Sequence, residues 1–174
     1  MENCGEKCVI LGLEYGVNKN MRFLGNIEAK MDAKGRAFFP ATFRKELQAK
    51  EEERLIMRKD VFQNCLVLYP EHVWNRQLDE LRSRLNHWNA SHQMLFRQFV
   101  SDVEIITLDN NGRLLIPKRF QKAIGLRQGL RFIGMDNTIE VWAQEDTEQP
   151  FMDAAQFSSE LEAIMGHAPA EDKD

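Results

Sequence analysis

The sequence predicts an α+β protein made of two tandem β-rich units, with a helical hairpin between them and one further helix at the end. Three observations predict it. Asp32-Ala-Lys-Gly35-Arg36-Ala-Phe-Phe-Pro40 returns without a gap as Asp109-Asn-Asn-Gly112-Arg113-Leu-Leu-Ile-Pro117. Each copy is followed by a second echo, Asn64-Cys-Leu-Val-Leu-Tyr69 and Asn137-Thr-Ile-Glu-Val-Trp142. Between the units, Trp74, Leu78, Leu81, Leu85 and Trp88 recur at alternating spacings of four and three, the period of a helix face. The resulting divisions are an extension over 1–20, a first unit over 27–74, a helical hairpin over 75–102, a second unit over 103–147, and a helix with an acidic, disordered tail over 148–174.

The chain begins with residues that match nothing in the later repeat, and Met21-Arg-Phe-Leu-Gly25 reads as a fresh start running into the first strand. Met1 and Met21 both remain candidate native starts, and a chain trimmed to Met21–Gly166 is expected to fold by itself. Ile27–Met31 alternates at period two, whereas its counterpart Val103–Leu108 is more fully apolar. Asp-x-x-Gly then suits a type I turn: the carboxylate bonds backbone N–H groups ahead of it, and glycine supplies positive φ. Ala37–Phe39 and Leu114–Ile116 read as the strands after the turns. Pro40 and Pro117 open short helices at the first helical position, and Gly125 is a left-handed stop for the second.

Leu55–Met57 and Cys65–Tyr69 read as a hairpin, with its turn near Gln63-Asn64. Pro70 starts the long helix; Asn86–Ala90 interrupts it, and Ser91 is expected to cap a second helix carrying Met94, Leu95, Phe96, Phe99 and Val100. In the second unit, Leu130–Ile133 and Thr138–Trp142 flank a Gly134–Asn137 turn. Phe151, Phe157, Leu161, Ile164 and Met165 predict the final amphipathic helix.

Composition bounds the class. With 174 residues and 43% hydrophobic content, the chain can bury one substantial core, or two small ones sharing an interface. No apolar run approaches the ~18 residues that span a bilayer, and Glu2 and Glu6 flank too short an apolar stretch for a secretory signal, so a cytoplasmic protein with no membrane partner is expected. Three cysteines form no paired framework. Cys4 and Cys8 lack second-half ligands at zinc spacing, so neither a metal nor a cofactor is expected; the helical stripe reads as core or subunit contact rather than a cofactor pocket.

The net charge of −4 conceals segregation. Lys30–Lys59 holds nine Lys/Arg against five Asp/Glu, Glu104–Arg131 six against two, and Asp136 to the end one against eleven. Two basic units and an acidic tail point to an anionic partner more than the sum does, since screening makes local patches matter. The other reading is a solvated surface whose signs happen to segregate.

The doubled Asp-x-x-Gly-Arg-(apolar)3-Pro, the Met-Arg-Phe-Leu-Gly opening, Cys65-Leu-Val-Leu-Tyr-Pro-Glu-His-Val-Trp74 and Ile139-Glu-Val-Trp142, in order over residues 21–145, resemble the bacterial MraZ family. The resemblance implies two SpoVT-AbrB-like units interlocked as a swapped-hairpin, barrel-like core. It also implies a nucleoid-associated, DNA-binding transcriptional regulator of the division and cell-wall gene cluster, assembled as a ring on direct repeats in its own promoter.

The residues suggest how such a protein meets double-stranded DNA. Arg36 and Arg113 follow the turn glycines. Each either folds back on Asp32 or Asp109 or projects to phosphate or a guanine edge, and an orienting carboxylate permits both. Lys34, Arg44, Lys118 and Arg119 complete the candidate DNA-binding set. Asn111 stands where Lys34 would repeat, so the two units are unequal readers. The alternative is that each Asp–Arg pair only pins its hairpin. Because one chain offers few cations, a homo-oligomer is expected to multiply weak contacts, with Trp74, Leu78, Leu81, Leu85 and Trp88 as its interface.

Two rival classes remain. An AbrB-like unit with an acidic, flexible end also resembles a toxin-neutralising antitoxin, though such antitoxins resemble one unit that dimerises, whereas here two are fused. An aspartate dyad of Asp32 and Asp109 needs one raised carboxyl pKa, yet each has an arginine four residues on that lowers it, so no enzyme is expected.

Overall fold

A computed structural model describes residues 22–144 and 150–166. The expected extension over 1–20 and the expected acidic tail after Gly166 lie outside the described residues. The elements are β1 (Asn26–Lys30), β2 (Arg36–Phe38), α1 (Ala41–Ala49), β3 (Leu55–Lys59), β4 (Leu66–Pro70), α2 (Glu71–Arg84), α3 (Ala90–Ser101), β5 (Val103–Ile106), β6 (Arg113–Leu115), α4 (Lys118–Ala123), β7 (Gly129–Met135), β8 (Thr138–Ala143) and α5 (Ala154–Met165).

Strand pairing crosses between the repeats. The entry strand of the first unit, β1, lies antiparallel to β7 of the second, with Glu28 opposite Arg131. Reciprocally, β5 of the second unit lies against β3 of the first, with Ile56 opposite Ile105. Contact between β4 and β8 joins the hairpins, giving one antiparallel sheet of order β1-β7-β8-β4-β3-β5. Exchanging the units reverses this order, so the sheet has a pseudo-twofold centre between β4 and β8. The remaining strands, β2 and β6, pair with each other as a separate ribbon, and an antiparallel bridge between Met31 and Ala37 ties β2 to the end of β1. The six-stranded sheet ends at β1 and β5 and its strand pairing does not close, with the ribbon lying beside it, so the mixed α+β architecture is as expected while the expected barrel-like closure is not seen in the strand pairing.

The exchange builds one core. Phe23 and Phe39 lie edge-on to Phe43 at 5.5 and 6.2 Å, and Phe39 in turn meets Phe132 of the second unit edge-on at 5.8 Å. Leu114, Ile116, Phe120, Leu130 and Ile139 belong to the same buried cluster. Each such side chain contributes about 1.5–3 kcal/mol on burial, and separating the units would expose most of them, so neither half has a sufficient core by itself.

Local chemistry sets the element ends. Pro40, Pro70 and Pro117 stand at the N-cap, with ψ of 131, 143 and 142°, one residue earlier than the first helical position the sequence suggests. After α4, Gly125 at φ 66° lets the Gly125 and Leu126 N–H groups close on the Lys122 and Gln121 carbonyls, a Schellman stop. After α1 the same bonds form from Glu51 and Glu52 to Gln48 and Leu47, but Glu51 must itself adopt φ 54°. Asn89, not Ser91, caps α3: its side chain accepts from the Ser91 and His92 N–H groups. The second hairpin turns more tightly than the sequence suggests, because β7 continues through Met135 opposite Thr138, leaving only Asp136 and Asn137 in the loop.

The helical hairpin packs through an aromatic stack rather than a continuous seam. Trp74 is buried, stacked on Phe99 at 5.3 Å and 3°, and edge-on to Tyr69 at 5.4 Å. Arg58, 8% exposed, lies 4.1 Å from the Phe99 ring centre. Among the described residues, no helix is long and apolar enough to cross a membrane.

Candidate nucleic-acid interface

The two repeated turns are geometric copies. Asp32 Oδ1 accepts from the Lys34 and Arg36 N–H groups, each at 2.9 Å, while the Gly35 N–H donates to the Asp32 carbonyl at 3.0 Å. In the second unit, Asp109 Oδ1 accepts from Asn111 and Arg113 at the same distances, and Gly112 N–H donates to the Asp109 carbonyl. Gly35 and Gly112 take φ of 83 and 74°. No side-chain residue sits comfortably there, which is why both copies carry glycine at that place.

Each arginine folds back on its aspartate. Arg36 Nε and Nη2 lie 2.8 and 2.7 Å from Asp32 Oδ2, and Arg113 Nε lies 2.8 Å from Asp109 Oδ2. The Arg36 side-chain hydrogen bond, helped by the Arg36 N–H, brings the Asp32 carboxyl down to about 2. The Asp109 carboxyl is lowered first by the Arg113 N–H and then by its side chain. A guanidinium carries five N–H donors in a fixed plane, so engaging one edge on a carboxylate fixes the direction of the donors that remain. Arg36 and Arg113 keep 29 and 22% of their side-chain surface exposed.

The ribbon brings the two arginines to one surface. Ala37 and Leu114 point inward and are buried, so the period of two sends Arg36, Phe38, Arg113 and Leu115 outward. Register places Arg36 opposite Leu115 and Phe38 opposite Arg113. Phe38 is 64% and Leu115 50% exposed. The turns also lock across the ribbon: the Phe39 N–H donates to the Gly112 carbonyl at 3.0 Å, and the Ile116 N–H to the Gly35 carbonyl at 2.9 Å. A surface of two oriented guanidinium groups and two apolar side chains suits an anionic backbone next to flat apolar edges.

The other sequence-predicted residues separate into groups. Lys34 is exposed beside Arg36, and Lys118 is exposed at the start of α4. Arg44 reaches from α1 to the opposite unit, where its guanidinium lies against Gly112. It borders a cleft of about 650 Å³ shared with Lys45, Gln48, Asp109, Asn110 and Asn111. Arg119 instead ties chain segments together, donating to Asp102, the Val103 carbonyl and Glu104 at 2.9 Å each. Of the expected interface set, Trp74 is committed to the interior; Leu78, Leu81 and Leu85 are half-buried, and Trp88 lies past the end of α2 and is 96% exposed.

Sequence reasoning missed Gln121. Its Nε2 donates to the Ile116 carbonyl at 2.6 Å and packs against the Gly35 turn, the counterpart of Arg44 against Gly112. The signal was present, because the repeat offset that aligns Asp32 with Asp109 aligns Arg44 with Gln121. The outward placement of Phe38 and Leu115 was likewise implicit in strand alternation. Cys65 is fully buried, and that burial pushes its thiol up to about 12, far from a reactive thiolate. Among the described residues, no three His, Cys, Asp or Glu gather as a metal site.

Fold and site define a class: a tandem-repeat α+β protein whose halves exchange strands and present two carboxylate-braced arginines on a shared ribbon. The MraZ protein family model, whose description carries the qualifier antitoxin-like, matches residues 22–98 and 100–164, one match for each repeat. The chain belongs to the MraZ family. It is 64% identical over 152 residues to a Bacteroides thetaiotaomicron protein named Transcriptional regulator MraZ, covering 87% of this chain and 97% of that one. A Bacteroides fragilis protein of the same name is 66% identical over 145 residues, covering 83 and 92%. The Christiangramia forsetii protein of that name is 32% identical over 148 residues, covering 84 and 95%.

Proposed function

We propose that the chain is a cytoplasmic, nucleoid-associated transcriptional regulator that binds DNA sequence-specifically through the β2–β6 ribbon and its flanking turns. The observation that carries this reading is the outward pair Arg36 and Arg113, each held by its aspartate on one face. The name printed for the relatives, Transcriptional regulator MraZ, supports the regulatory role. Lys34 and Arg44 add charge next to the arginines. Arg36 is the principal reader, because Lys34 stands beside it, whereas Arg113 has Asn111 at the corresponding place.

The finer reading is that several copies form a closed ring and grip successive direct repeats upstream of the protein's own gene, in the division and cell-wall gene cluster. Strand exchange between the repeats accords with two AbrB-like units fused in one chain. An acid–base enzyme is disfavoured, since both candidate carboxyls are lowered and neither is positioned to hold a proton at neutral pH. The antitoxin-like wording of the family description favours a second reading, a protein-binding module.

A gel-shift titration with DNA from upstream of its own gene tests the proposal. Wild type should retard that DNA at concentrations that leave unrelated DNA free, and Arg36→Ala should abolish the difference. Equal affinity of Arg36→Ala for the upstream fragment would overturn the assignment.

A further inference from the structure

The final helix lacks any intramolecular packing that would account for it. A helix of 12 residues is marginal in water by itself, and every residue of α5 is exposed. Phe157, Leu161, Ile164 and Met165 recur at intervals of four, three and one, forming one apolar stripe; they are 56, 48, 70 and 73% exposed. Glu160 and Glu162 flank the stripe, form no ion pair among the described residues, and have no basic neighbour on the helix.

A complementary groove lies on the other helical element. Between α2 and α3 there is a groove of about 430 Å³, with Leu85, Phe96 and Val100 as its apolar lining and Arg82 and Arg97 among its polar walls. None of its lining residues is acidic. Arg82 lies over the Phe96 ring at 5.5 Å, and neither Arg82 nor Arg97 has an acidic partner among the described residues. A helix that is apolar on one side and acidic beside it therefore matches a groove that is apolar within and basic along its walls.

We propose that α5 of one copy docks in the α2–α3 groove of the next copy, with the Phe157–Leu161 stripe on Leu85, Phe96 and Val100, and Glu160 and Glu162 against Arg82 and Arg97. Helix-in-groove recognition reads residues at i, i+4 and i+7 in this manner. Helix and groove are different surfaces, so the contact is heterologous and each copy keeps one free helix and one free groove until a ring closes. The proposal rests on the self-assembly in the reading above, not on its DNA contacts, and it names the contact that would hold the assembly.

The test measures mass by light scattering on full-length variants whose circular dichroism melts match wild type. Leu161→Asp removes the helix side, and Arg82→Glu with Arg97→Glu removes the groove side; each should reduce the oligomer to monomer at concentrations where wild type is assembled. Adding Glu160→Arg and Glu162→Arg to the groove variant should restore assembly. Mixing the helix variant and the groove variant in equal amounts should yield dimers and nothing larger, because only one good contact is left per pair. An unchanged mass for Leu161→Asp or for the groove variant overturns the proposal, as does a monomeric wild type, in which α5 would cover its own groove or serve another partner. Gel shifts keep the two readings apart: wild type that assembles, and loses its assembly in both variants, yet fails to retard the upstream DNA counts against the DNA assignment alone.

Discussion

Gly134 is where the beginning of the first unit is fastened to the hairpin of the second, and Gly134→Ala should cost about 3–5 kcal/mol of stability. A Cβ added there would overlap the Phe23 carbonyl group and lie 2.7 Å from the Leu24 nitrogen. These are backbone atoms, which cannot rotate aside, so the 23–25 segment has to lift. Lifting breaks three backbone hydrogen bonds: Phe23 N–H to the Asp136 carbonyl at 2.6 Å, Asp136 N–H to the Phe23 carbonyl at 3.2 Å, and Gly134 N–H to the Gly25 carbonyl at 2.8 Å. At about 1 kcal/mol each, these supply most of the cost. Partial exposure of Phe23, fully buried and edge-on to Phe43, supplies about 1–2 kcal/mol more. Urea unfolding of both proteins at one concentration measures the change, with Arg22→Ala as a control. That control removes only the exposed Arg22–Asp136 ion pair and should stay within about 1 kcal/mol of wild type. A Gly134→Ala protein as stable as the control would refute the claim that this segment fastens the two halves.

Three further outcomes follow from the geometry. Glu51→Gly should stabilise by about 0.5–1 kcal/mol in thermal unfolding, because glycine occupies φ 54° freely, although it enlarges the unfolded ensemble. Asp32 has a lowered carboxyl pKa, so its contribution is complete above the ordinary value of 3.8 and lost as pH falls toward about 2; the stability gap between wild type and Asp32→Asn should be constant near neutrality and close across that interval. Plots of log affinity for the upstream DNA against log salt should be linear, each neutralised phosphate adding about 0.9 to the downward slope, and Lys34→Ala should flatten the slope.

Much of the site was legible because turn chemistry is local. Asp, Gly and Arg at fixed spacing determine the turn, and the structure returns the same hydrogen bonds in both copies. The helices after Pro40, Pro70 and Pro117 were legible for the same reason. Strand partners were not. A repeat makes pairing within a unit and pairing between units look alike in sequence, and the choice between them depends on long-range fits such as Phe23 over Gly134. The open ends at β1 and β5 were hidden too, since closure depends on twist and tilt rather than on residue pattern. Trp74 and Trp88 shared one periodic stripe, but Trp74 found Phe99 and Tyr69, while Trp88 fell past the end of its helix. Arg119 resembled a free cation by composition, and only the fold brings Asp102 and Glu104 to it.

The central claim is that the ribbon with Arg36 and its flanking turns reads DNA, and nuclease footprinting on the region upstream of the protein's own gene tests it most directly. The account predicts protected direct repeats at near-helical spacing with wild type, and no protection with Arg36→Ala at the same concentration and the same assembled mass. Wild type that protects nothing at saturating concentration, or an Arg36→Ala footprint identical to wild type, would contradict it.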